Sequence, residues 1–138
     1  EFDWQGTHDP TPFLSVPVAI ETIGKLVPGG WDEVRARNRT LVKQMRDVVL
    51  RAIGATPAVP DSLLGMMATI PLPNATTGQG ALPGMGALDP LQDALWHQHR
   101  IEVPLFTFEG KRCLRVSAHL HSTLADAEKL AAVLPSLL

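Results

Sequence analysis

The sequence predicts an α+β fold: a small antiparallel or mixed sheet covered by helices on one face. Three observations carry this. Two apolar, strand-compatible runs flank Glu109-Gly110-Lys111, the pattern of a β-hairpin. Stretches with hydrophobic residues three, four and seven apart lie on either side of them. The elements run helix, helix, strand, helix, strand, strand, helix, and helices gathered over one face of a small sheet bury the apolar side of both. With 138 residues, 45% of them hydrophobic and 19% charged, the chain has the length and composition of one folded globular domain.

The opening segment, Trp4 to Pro12, is too rich in turn formers to be regular. A short apolar helix follows over Phe13–Gly24, with Thr11 as N-cap, Pro12 at the first helical position, and Pro17 bending the helix without ending it. Pro28-Gly29-Gly30 closes this part, so residues 1–28 read as a connecting segment and 29–138 as the α+β domain proper. The strongest helix runs from Trp31 to Ile53. Its expected inner face is Val34, Leu41, Met45, Val48 and Ala52, with Glu33–Arg37 and Asp47–Arg51 as i,i+4 pairs outside and Gly54 as the stop.

Residues 65–73 form a proline-bounded apolar run, expected to be a strand whose prolines mark a strand end or an edge. Asn74 to Pro90 is loop-like. Asp89-Pro90 then opens a helix reaching about His99. The hairpin strands are expected over Ile101–Phe108 and Arg112–Ala118. Ser122 or Thr123 with Asp126 caps the last helix, whose inner side is Leu124, Ala127, Leu130, Ala131, Leu134 and Leu137.

Twelve Lys and Arg against fourteen Asp and Glu leave a net charge of −2, which gives no reason to expect nucleic acid or an anionic membrane as partner. The single cysteine, Cys113, excludes an internal disulfide and suits the cytoplasm. No apolar run has the length of a membrane span, and the first residues lack a signal-peptide pattern.

Several motifs fail on inspection. The glycine run 78–86 has Pro83 where a dinucleotide fingerprint needs glycine and no Gly-Lys-Ser/Thr ending, so it reads as a surface loop. Arg35, Arg39, Lys43 and Arg46 cluster on one side of the long helix but lack interleaved aromatics, and a solvated face is expected. His97 and His99 diverge on a helix. His119 and His121 would share a face if the strand continued so far, yet no ligand spacing for a metal accompanies either pair. The Asn38 and Asn74 glycosylation patterns read as accidental, no Ser–His–Asp spacing selects a triad, and Cys113 reads as a packed strand residue.

Arg115 stands apart. It alternates with Cys113 and Ser117 along an apolar strand, where a guanidinium is costly unless it meets an anion. That anion is either an internal carboxylate or a ligand, and composition alone does not choose between them.

Two stretches, Trp4-Gln5-Gly6-Thr7-His8-Asp9-Pro10-Thr11-Pro12-Phe13-Leu14 and Arg112-Cys113-Leu114-Arg115-Val116-Ser117-Ala118-His119-Leu120-His121-Ser122-Thr123, resemble the C-terminal part of class V aminotransferase-fold enzymes, which are pyridoxal-phosphate proteins. The isopenicillin N epimerase-like branch is the most similar in flavour, with Gly30-Trp31 and the strand Met67–Pro73 in the expected order. The resemblance implies that Arg115 binds a substrate α-carboxylate. It implies that Gly6 and Thr7 approach the phosphate of pyridoxal phosphate, across a homodimer interface. Many relatives carry Tyr-Asn-Thr where His121-Ser122-Thr123 stands here, a departure on the substrate side.

The family's Schiff-base lysine and the acid paired with the pyridine nitrogen lie upstream of the Gly-Thr motif, and none of Lys25, Lys43, Lys111 and Lys129 has that context. The expectation is therefore a fragment of a larger enzyme, inactive alone. Its parent would process an amino acid as epimerase, aminotransferase or lyase through an external aldimine. The alternative is a standalone, non-enzymatic α+β module that binds a small anionic ligand or a protein partner.

Overall fold

The computed structural model describes residues 9–73 and 89–138. The chain divides into two compact units, Glu1–Ala36 and Arg37–Leu138. Gly6, Thr7, the glycine run 78–86 and the Asn74 pattern fall outside the described residues.

In the first unit, α1 spans Thr11–Lys25 and starts earlier than Phe13. Thr11 is its first helical residue rather than its cap. Pro10 takes the cap position, and Asp9 before it accepts from Thr11 N at 2.9 Å and Thr11 Oγ1 at 2.6 Å, so its carboxylate meets one free N–H of the first turn. Pro17 sits inside the helix without ending it, and no α1 residue is buried. The Trp31 indole N–H donates to Ile20 O at 3.0 Å, tying the following turn back onto the helix.

In the second unit the core is assembled on three strands and three helices. Helix α2 is Gly30–Ile53, as the periodicity required. Val34 and Met45 are buried as expected, but the rest of the inner face is turned from the expected one: the other buried residues are Asn38, Val42, Arg46, Val49 and Leu50. Leu41 and Val48 are only partly buried, and Ala52 is exposed. The reason is Arg46. Hydrophobic patterning places an arginine outside, but here its charge is met by Asp47 Oδ1 at 2.9 Å and Asp61 Oδ1 at 2.7 Å, so it can be buried.

Arg46 is the exception in the basic stripe: Arg35, Arg39 and Lys43 are exposed as expected, while Arg39 donates to Asp61 O at 3.2 Å and Lys43 binds Asp61 Oδ2 at 2.8 Å, at the 3-10 turn Asp61–Leu63. The two expected i,i+4 pairs do not form among the described residues. Asp47 pairs with Arg46 rather than Arg51, and Glu33 accepts from Gly29 N at 2.7 Å rather than pairing with Arg37. Gly54, at φ +64°, ends α2 as expected: Ala55 N returns to Leu50 O at 3.0 Å, which needs a left-handed residue between them.

Strand β1 is Met67–Pro71, β2 is Leu105–Phe108 and β3 is Lys111–Ser117, forming an antiparallel sheet in the order β1-β3-β2. The proline-bounded β1 is an edge strand, one of the two placements its prolines allow. Ladder pairing of the second strand begins only at Leu105, since Pro104 has no N–H to donate. The hairpin turns on two residues, Glu109 at φ +49° and Gly110 at φ +74°, the mirror-image turn that suits strand twist.

Ala68, Ile70, Leu114 and Val116 share one sheet face and pack with residues of α2, α3 (Pro90–His99) and α4 (Leu124–Leu137) in a single core. Leu91 and Leu95 come from α3, and Ala127, Leu130 and Leu134 from α4; Leu124, Ala131 and Leu137 flank them as expected. Helix α4 opens on Thr123, with Thr123 N and Oγ1 donating to Asp126 Oδ2 at 2.8 and 3.0 Å.

Candidate functional site

Strand β3 carries two arginines three positions apart, so the alternation of side chains sends them to opposite faces of the sheet. Arg112 goes to the covered side and is buried, with its Nε 2.8 Å from Asp89 Oδ2 and a second bond from Nη2 to Asp89 Oδ1. Asp89 also accepts from Leu91 N at 2.8 Å, so one carboxylate caps α3 and anchors it to the central strand. Burial pushes the Asp89 carboxyl up, but Arg112 and the Leu91 N–H outweigh it and hold the group below the usual carboxylate range.

Arg115 lies on the uncovered side. It is exposed, opposite Thr69 of β1, and makes no ion pair among the described residues. Of the two readings left open by composition, the internal salt bridge belongs to Arg112, not to Arg115. Cys113, also on this side, is buried; burial pushes its thiol up, away from the reactive thiolate, in keeping with a packing role.

The sheet is open beside Arg115. Hydrogen bonds from Ala118 N to Met66 O and from Leu72 N to Arg112 O show that even-numbered β3 residues point their backbone groups at β1. Odd-numbered ones therefore point toward β2. Arg115 N finds Pro104 O at 3.1 Å, but the chain before Pro104 diverges from β3. Between that segment, the end of β3 and the start of α4 lies a cleft of about 440 Å³, whose wall includes Arg100, Glu102, Arg115, Ser117, His121 and Lys129. Its volume falls in the range of small-molecule sites.

The strand stops at Ser117, short of the histidines, because His119–Ser122 form a turn: Ser122 N bonds His119 O and Ser122 Oγ accepts from His119 N, both at 3.0 Å. The two imidazoles still meet, stacked with centroids 5.3 Å apart, and His121 reaches the cleft wall.

Arg100 and Lys129 had no sequence signal as site residues. A basic residue at a helix C-terminus or on an exposed helix face is ordinary, and only the tertiary fold brings these two to the same cleft.

Comparison with known proteins adds lineage. The chain is 33% identical over 135 residues to isopenicillin N epimerase of Amycolatopsis lactamdurans, a match covering 96% of this chain and 31% of that protein. The isopenicillin N epimerase of Streptomyces clavuligerus matches with the same identity and coverage. A putative L-cysteine desulfhydrase 2 of Oryza sativa subsp. japonica is 30% identical over 109 residues, 77% of this chain and 21% of that protein. The chain thus spans about a third of the length of the epimerases it matches. No protein-family model matches it.

Proposed function

From the premise that this chain is a relative of the isopenicillin N epimerases over nearly its whole length, we propose that it is the small-domain part of a pyridoxal-phosphate enzyme acting on an amino acid. Its contribution is the substrate side of the site. Arg115, exposed on the central strand with no internal ion pair among the described residues, receives the amino acid's α-carboxylate through two parallel N–H···O bonds. That unpaired guanidinium is the observation that carries the reading. Holding the carboxylate fixes the orientation of the bonds at Cα, which decides which of them can break.

The cofactor half is supplied elsewhere. Among the described residues the lysines are all at the surface: Lys25 pairs with Glu21, Lys43 with Asp61, Lys129 donates to the Arg100 carbonyl, and Lys111 adjoins the hairpin turn. Their surface positions and existing partners support assigning the imine lysine to another segment. Gly6 and Thr7 are assigned to the phosphate, at a homodimer interface. Pyridoxal phosphate supplies the electron-accepting ring common to epimerases, aminotransferases and lyases.

Two measurements test this. The 138-residue chain mixed with pyridoxal phosphate should develop no saturable imine absorption; a specific imine would contradict the assignment of the lysine to another segment. In the cofactor-loaded enzyme that includes these residues, Arg115→Gln should raise KM for the amino acid by about 10- to 100-fold, the value of a charge-assisted bond pair. An unchanged KM would refute the anchor.

A further inference from the structure

The cleft beside Arg115 is lined by three cations, Arg100, Arg115 and Lys129, and by two carboxylates, Glu102 and Asp126. Arg100 and Arg115 make no ion pair among the described residues, and the Lys129 ammonium donates to the Arg100 carbonyl at 3.5 Å and lies within electrostatic reach of the Asp126 carboxylate. Asp126 accepts from Thr123 N and Oγ1, neutral donors that leave its charge in place, so the wall carries three cations against two carboxylates.

Two backbone features single out one position in this cleft. Arg100 follows α3 in the left-handed region, φ +56° and ψ +43°, at a place where glycine or asparagine is the unstrained choice. From that conformation Arg100 lines the cleft. Ser117, by the sheet register, aims its N–H at the side where β2 has already ended. No backbone acceptor meets it among the described residues.

We propose that the Arg100 guanidinium, the Lys129 ammonium and the Ser117 N–H form a second anion-binding position, separate from the group that Arg115 receives. Its ligand is a small organic molecule bearing a carboxylate or a phosphate. The position goes beyond the reading of Arg115 and does not depend on a cofactor.

The test is an amide-resolved NMR titration of the full chain at fixed ionic strength, with inorganic phosphate in one arm and succinate in the other. Saturable shifts at Ser117 and Arg100 are expected in at least one arm, and the arm that saturates identifies the acid group. Arg100→Gly keeps the left-handed turn and removes the charge, so it should weaken binding at least tenfold with the thermal midpoint unchanged or raised. Lys129→Gln, on the exposed side of α4, should weaken it similarly, while Arg115→Gln leaves the Ser117 shift in place. Absence of saturation in both arms overturns the proposal. So does an affinity unchanged by Arg100→Gly and by Lys129→Gln. Loss on Arg115→Gln alone would leave a single anion position, that of Arg115, and refute the second.

Discussion

Replacing Asp89 by asparagine should be among the most damaging single-atom changes available to this chain. The side chains of Asp89 and Arg112 are only 9% and 10% exposed, so the remaining guanidinium would sit buried without its counter-ion. Breaking a buried pair from one side costs about 3–5 kcal/mol, and asparagine keeps a neutral acceptor in place, which brings the expected loss to about 3 kcal/mol. Asparagine also preserves the cap on Leu91 N, so Asp89→Ala should cost about 1 kcal/mol more.

Urea unfolding followed by far-UV circular dichroism measures both, with the slope m unchanged. In thermal terms, about 3 kcal/mol lowers Tm by roughly 10 °C in a chain of this size. Arg112→Met combined with Asp89→Asn should recover much of the loss, since no buried charge then remains. An Asp89→Asn variant within 1 kcal/mol of the parent would refute the reasoning, because the pair would then be solvated in practice.

Other outcomes follow from the same contacts. Leu134 is fully buried in the core, and Leu134→Ala should lose about 3–5 kcal/mol by the same denaturation assay. Thr123→Ala removes half of the α4 capping box and should cost about 1 kcal/mol. Asp89 and Asp126 are both held below their usual range in the folded state, Asp89 against its burial and Asp126 chiefly by the Thr123 N–H. Their stabilisation is complete above the unfolded value of about 3.9 and is lost as pH falls through the lower folded values. The urea midpoint should therefore hold between pH 7 and 5 and drop below about pH 4; a flat profile down to pH 3 would contradict the two contacts.

Much of the scaffold was legible because periodicity and turn chemistry agree. Gly110 after Glu109, Asp89 before Pro90, and Thr123 three residues before Asp126 each specify a local geometry that the tertiary structure keeps. The inner face of α2 was misread because hydrophobic spacing treats every arginine as external. Whether Arg46 is buried depends on Asp61, fifteen residues away, and no local pattern carries that partnership.

Arg112 and Arg115 show the same limit from the other side. Alternation sends them to opposite faces, but only the packing of α3 over one face decides which arginine receives the internal carboxylate. Arg115 stood out as a candidate through its strand context and a family resemblance. Arg100 did not, because its left-handed backbone is invisible in the sequence.

The most direct test of the central claim is a crystal structure of the cofactor-loaded enzyme containing these residues, bound to an unreactive amino-acid analogue. The account predicts the analogue's α-carboxylate in a two-point contact with the Arg115 guanidinium, with N···O distances of about 2.8 Å. An analogue whose carboxylate is held by other groups, with Arg115 left in solvent, would contradict it.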